Sequence, residues 1–174
     1  EDPLADLDLT KIAIDKIFAI GEKIWKVVDA NRPVVNLSTK RASALPQGVD
    51  HWMAMENWSD LEARRLTAVY KNGFGMEVVR LSYLITYTHS GSIRGTGKYL
   101  SEVGFMVSNL NVAWGYTFNA NAEIVRVQNV GTRENPIAGM ELNFNWTVSN
   151  PIKHSQSAVS FYVRGDGRLT AQGL

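Results

Sequence analysis

The feature that most constrains this chain is a single change of hydrophobic period near residue 31. From Leu9 to Val28 apolar residues return every three or four positions; from Met76 to Val163 they alternate. The first pattern marks a helix with one apolar stripe, the second marks strands with one face turned to a core. An amphipathic N-terminal helix ahead of an antiparallel β body is therefore expected.

On a wheel of about 100° per residue, Leu9, Ile12, Ile17, Ile20, Ile24, Val27 and Val28 fall on one side, widened by Ile14, Phe18 and Trp25. Asp8, Lys11, Asp15, Glu22, Lys23 and Lys26 take the remainder. Asp6 or Asp8 is placed to cap the first amides, and Asn31-Arg32-Pro33 to end a helix over residues 8–30. An arc this wide needs a cover, and a sheet of the same chain is the expected one. A membrane interface or a partner groove is the alternative; the near balance of acids and lysines on the polar face disfavours membrane contact.

Residues 32–62 are the least regular stretch. Val34-Val35-Asn36-Leu37 reads as a short first strand, Ala44 to Gly48 as loop, and His51 to Trp58 as an aromatic, Met-rich loop docked on the core. Leu66 to Tyr70 is a strand, followed by the turn Lys71-Asn72-Gly73-Phe74-Gly75. Val79, Leu81, Tyr83, Ile85 and Tyr87 then share one face. Ser90 to Gly97 reads as a flexible loop, and Val103, Phe105 and Val107 as the next strand. The longest alternating run goes from Leu110 to Ile124, and its phase slip at Ile124-Val125 predicts a bulge. A loop from Val130 to Pro136, a strand through Met140, Leu142, Phe144, Trp146 and Val148, a last strand from Ser155 to Val163, and a turn from Arg164 to Arg168 complete the series. Alternation this strict leaves one face of each strand wet, as in antiparallel sheets packed face to face. The expected fold is mainly β with one N-terminal α-helix: an antiparallel β-sandwich of roughly seven or eight strands, a β-barrel being the alternative. Residues 1–174 form a single domain in this reading, with the β body at about 63–168.

Composition excludes more than it assigns. A net charge of +1 without a basic stripe argues against nucleic acid, and Lys40-Arg41 and Arg64-Arg65 read as solvated surface. The absence of cysteine removes disulfides, thiol catalysis and thiolate metal sites. No apolar run approaches the ~18 residues of a membrane-spanning helix. The start at Glu1-Asp2-Pro3, with no methionine, fits an exported protein, periplasmic or secreted, whose signal peptide is gone.

No catalytic residue and no cofactor is assigned from the sequence. His51, His89 and His154 are the available imidazoles, and none sits beside a Gly-x-Ser-x-Gly elbow; His89-Ser90-Gly91-Ser92 has the composition of a turn. Glu77, Glu102, Glu123 and Glu141 could supply the carboxylate pair of a glycosidase, yet all occupy polar strand positions. Gly95-Thr96-Gly97-Lys98 lacks the spacing and the following helix of a phosphate loop. His51, Met53 and Met55 would point one way in an extended segment and form a soft Cu(I) set; packing beside Trp52 and Trp58 is the competing role. Asn119, Asn121, Asn143 and Asn145 would become neighbours on a wet face if their strands pair. Amides beside aromatics donate and accept without charge, which suits a carbohydrate, peptide or protein ligand. Arg164-Gly165-Asp166 spells an adhesion tripeptide but reads first as a turn.

The layout, an amphipathic helix ahead of a cysteine-free β-sandwich with an Arg-Gly-Asp tripeptide at Arg164 to Asp166, resembles that of the actinoporins. The resemblance covers the order of elements and no continuous motif, and the family's Trp/Tyr docking cluster has no counterpart. It implies a pore-forming protein whose helix enters the bilayer. A well-patterned core with no converging catalytic set makes the first expectation an exported, non-catalytic binding or structural module acting through the Asn-rich face or the Trp52–Trp58 loop. A membrane-active protein using residues 8–28 comes second, and a hydrolase with no active site visible in sequence third.

Overall fold

The computed structural model describes residues 11–21, 24–30 and 41–173. Among the described residues ten strands follow in chain order: β1 (Ala13–Gly21), β2 (Ile24–Ala30), β3 (Ala42–Gln47), β4 (Glu62–Lys71), β5 (Glu77–Ile93), β6 (Thr96–Val112), β7 (Thr117–Asn129), β8 (Ala138–Ser149), β9 (His154–Arg164) and β10 (Leu169–Gly173). They form two five-stranded sheets, ordered β1-β3-β6-β5-β4 and β10-β9-β8-β7-β2, and every ladder between these strands is antiparallel. The sheets do not close into a barrel.

The two sheets meet through aromatic residues drawn from the alternating runs. Tyr83 of β5 stacks on Phe144 of β8 with ring centroids 4.5 Å apart, and Phe105 of β6 lies 5.3 Å from Phe144 and 5.4 Å from Phe161 of β9. Such pairs add about 0.5–1.5 kcal/mol each beyond the area they bury. Desolvation there pushes the Tyr83 hydroxyl up to about 12. The strand through Val79 to Tyr87, the strand at Leu66 to Tyr70, β8 and β9 run where alternation places them, and the β7–β8 register shifts between Ile124 and Arg126, at the expected bulge.

The N-terminal helix is not there. Residues 13–21 and 24–30 form β1 on the edge of one sheet and β2 on the edge of the other. Ile12, Ile14, Ile17, Ile20, Ile24, Val27 and Val28 are all β-branched, which costs side-chain freedom in a helix and suits a pleated surface. A run apolar on both faces imitates a helical stripe, because period alone does not separate the two in short segments. The expected strand at Val34 to Leu37 and the helix's first residues lie outside the described residues.

Three other boundaries differ. Ala44 to Gln47 is strand, not loop; Pro46 fits because it lies past the last β3–β6 pair and opposite the irregular part of β1. Ser90 to Gly97 belongs to a long hairpin rather than a loop, with β5 and β6 joined at Arg94 (φ 49°) and Gly95 (φ 76°), the two positive angles of a tight hairpin turn. The run from Leu110 to Ile124 is broken by a turn in which the Tyr116 amide donates to the Ala113 carbonyl at 3.2 Å. Four residues separate β6 from β7, so the alternation keeps its phase across the turn and hides it. The short edge strand β10, after the expected turn at Arg164 to Arg168, brings the strands to ten.

Candidate functional site

Antiparallel pairing brings three connections to one end of the molecule. Val79 faces Val112, so the β4–β5 and β6–β7 turns lie side by side; Thr117 faces Ser149, which places the β8–β9 turn at that end too. Asparagine side chains fix two of them. Asn72 Oδ1 accepts from the Phe74 and Met76 amides at 2.9 and 3.1 Å. Asn150 Oδ1 accepts from the Ile152 and Lys153 amides at 3.0 and 2.7 Å, with Pro151 presetting the turn.

Each turn holds an apolar side chain out in water. Trp114 is 98% exposed, Ile152 96% and Phe74 91%, the three most exposed large hydrophobic residues among those described, and Met76 is well exposed beside them. Covering one such side chain is worth about 1.5–3 kcal/mol. Between the β4–β5 and β8–β9 turns lies a depression of about 240 Å³ lined by Tyr70, Phe74, Tyr116 and Ile152, with Lys71 and Lys153 on it. The nearby acid Glu77 is bonded to Arg80 at 2.5 Å, and that bond holds its carboxyl below the usual carboxylate range. The end is therefore apolar at its tips and cationic around them.

The residues singled out from sequence fall elsewhere. Asn121 is directly opposite Asn145, Asn119 faces Thr147 and Asn143 faces Glu123, so the four amides do share one face of the second sheet. Trp52 and Trp58 also meet: the Trp58 indole donates to the Trp52 carbonyl at 3.0 Å, and its ring lies where a Cβ on Gly91 would stand, 2.4 Å away. Both pack against the core and stay partly exposed. His51, Met53 and Met55 do not converge. The segment is a 3-10 turn over Trp52–Ala54, not extended chain; His51 Nδ1 accepts from the Met53 amide, Met53 is exposed and Met55 buried. No group of three His, Cys, Asp or Glu side chains suited to a metal occurs among the described residues.

The nearest approach to a catalytic set joins Ser90, His89 and Glu62. Ser90 Oγ lies 2.7 Å from His89 Nδ1, and His89 Nε2 lies 2.8 Å from Glu62 Oε1. Further bonds tie it to neighbouring segments. Tyr87 donates to Glu62 and to the Gly167 carbonyl, and the His89 amide donates to Ser59. The Ser90 and Ser92 amides donate to the Gly165 and Glu56 carbonyls. Of the possible glycosidase acids, Glu77, Glu102 and Glu141 each bond an arginine: Arg80, Arg41 and Arg126.

Sequence reasoning passed over the turn end, although a signal was present. Asn-Gly-Phe at 72–74 and Asn-Pro-Ile at 150–152 put an apolar residue inside turn chemistry, where it has no strand face to bury it. Trp114 was hidden by the continuous alternation around it. The chain matches no protein-family model, no curated protein and no solved structure.

Proposed function

We propose that this chain is a non-catalytic β-sandwich that docks peripherally on lipid membranes by its turn end. The observation that carries the reading is the placement of Phe74, Trp114 and Ile152, each more than nine-tenths exposed, on three turns at one end. Three apolar tips carried on separate turns, two of them flanking the depression, suit a soft interface into which each tip sinks by itself. Tryptophan favours the headgroup level of a bilayer, and Lys71 and Lys153 are placed to meet anionic lipid, at about 1 kcal/mol for each cation near the surface. No helix among the described residues is long and apolar enough to cross a membrane. The reading keeps the binding module and the exported setting expected from sequence, and it moves membrane contact from the N-terminal segment to the turns.

Cosedimentation with phosphatidylcholine vesicles, with and without phosphatidylserine, tests it. The wild-type chain should bind, more tightly with phosphatidylserine, and brominated lipid should quench a fluorescence component that Trp114→Phe removes. The variant Phe74→Ser/Trp114→Ser/Ile152→Ser should lose at least about a hundredfold in partitioning and keep its melting temperature. Failure of the wild type to bind either vesicle, or equal binding by the triple variant, overturns the proposal.

A further inference from the structure

The second sheet carries a separate feature on the face turned away from the core. A depression of about 420 Å³ lies over β8, β9 and β10, with Arg126, Glu141, Ser160, Tyr162, Thr170 and Gln172 on its walls. That is within the usual range for small-ligand sites, about 300–1,000 Å³.

Tyr162 is laid down on the sheet. A Cβ built on Gly139, which would point outward from the same face, would stand 2.4 Å from the Tyr162 hydroxyl oxygen. The hydroxyl therefore rests on the backbone of β8, and the ring leans along the surface instead of standing off it. Only glycine at 139 leaves that room. A ring in this attitude is a platform on which the C–H face of another ring can lie.

The polar groups around it are balanced in charge. Arg126 Nε bonds Glu141 Oε2 at 2.6 Å, so the cation and the carboxylate cancel while both keep hydrogen-bonding capacity toward the depression. Asn143 is the next outward residue along β8 from Glu141 and lies opposite Ser160. Its Oδ1 is buried and has no hydrogen-bond partner among the described residues. A buried acceptor left unpaired costs about 1–3 kcal/mol, and this one sits on the ladder beside Ser160 of the depression's wall. The backbones of β8 and β9 are hydrogen-bonded on both sides, so over those two strands recognition falls to side chains.

From this geometry we infer that the outer face of the second sheet holds a binding site for a neutral saccharide, stacked on Tyr162 and hydrogen-bonded by the Arg126–Glu141 pair and Gln172. The site is independent of the turn end, and neither reading needs the other.

The test is an amide NMR titration of the whole chain with glucose, galactose, mannose and N-acetylglucosamine, each at millimolar concentration, and with inorganic phosphate. At least one sugar should give saturable shifts at Asn143, Ser160, Tyr162 and Gln172, and phosphate should not. Tyr162→Ala should weaken that sugar at least about tenfold. Tyr162→Phe, which keeps the platform and guards against a folding effect, should retain binding within about threefold. The inference fails if no sugar in the panel moves these amides, if the shifts survive Tyr162→Ala, or if phosphate gives the same shifts.

Discussion

Glu62 shows how one side chain ties several segments. Its carboxylate only accepts, so His89 Nε2 and the Tyr87 hydroxyl are the donors, at 2.8 and 2.9 Å. The bond from His89, with that from Tyr87 second, holds the Glu62 carboxyl below the usual glutamate range, while burial and then Glu62 itself push Tyr87 up to about 12. A depressed carboxylate stabilises the fold fully above the ordinary pKa of about 4.3, and that share is lost as pH falls through its lower folded value. Because Glu62 is half exposed, the effect stays below about 1 kcal/mol. Chemical denaturation at pH 7 and pH 3 should show Glu62→Gln less stable than wild type at neutral pH and nearly equal to it in acid. An equal gap at both pH values would show that the bonds do not act through ionisation. None of this was legible in sequence, since residues 62 and 89 meet only through β4–β5 pairing. The Asn121–Asn145 neighbourhood was legible, because it needs nothing beyond two alternating strands in register.

Among the elements, β5 and β8 were readable because one of their faces is wet; β1 was not, because an edge strand with partly buried residues on both sides has no clean period. Ile12 to Ile20 offered a helical stripe, and only the β-branching of those residues pointed to the strand that forms. That difference can be measured. Leucine is a better helix former than isoleucine and a poorer fit to a pleated edge. The double variant Ile14→Leu/Ile20→Leu should therefore lower stability by up to about 1 kcal/mol, read as a shift of the urea midpoint. Unchanged or raised stability would argue for a helical N-terminal segment. The β6–β7 turn escaped detection for a different reason. An even spacer conserves parity, so Leu110, Val112, Trp114, Tyr116 and Phe118 look like one strand while Trp114 stands in solvent.

For the whole molecule, the two ends differ around one shared core. The turn end shows Phe74, Trp114 and Ile152 to solvent, while the far end is closed by the His89–Glu62–Tyr87 brace against the β9–β10 turn. Nothing in the core depends on the exposed tips, so stability and docking should separate under mutation. Phe144 gives the complementary test. It is fully buried and touches Tyr83 and Phe105 of the facing sheet as well as Trp146 of its own. Removing the ring leaves a cavity between the sheets, for which about 3–5 kcal/mol is the usual cost. That is a large part of the ~5–15 kcal/mol that holds a domain together. Phe144→Ala should lower the thermal midpoint sharply, with near-UV and far-UV circular dichroism still melting together, because neither sheet keeps an apolar cover once the other leaves. At temperatures where the variant stays folded, its vesicle binding should match the wild type. A loss below about 1 kcal/mol, or separate melting of the two signals, would mean that the sheets are not joined through this ring.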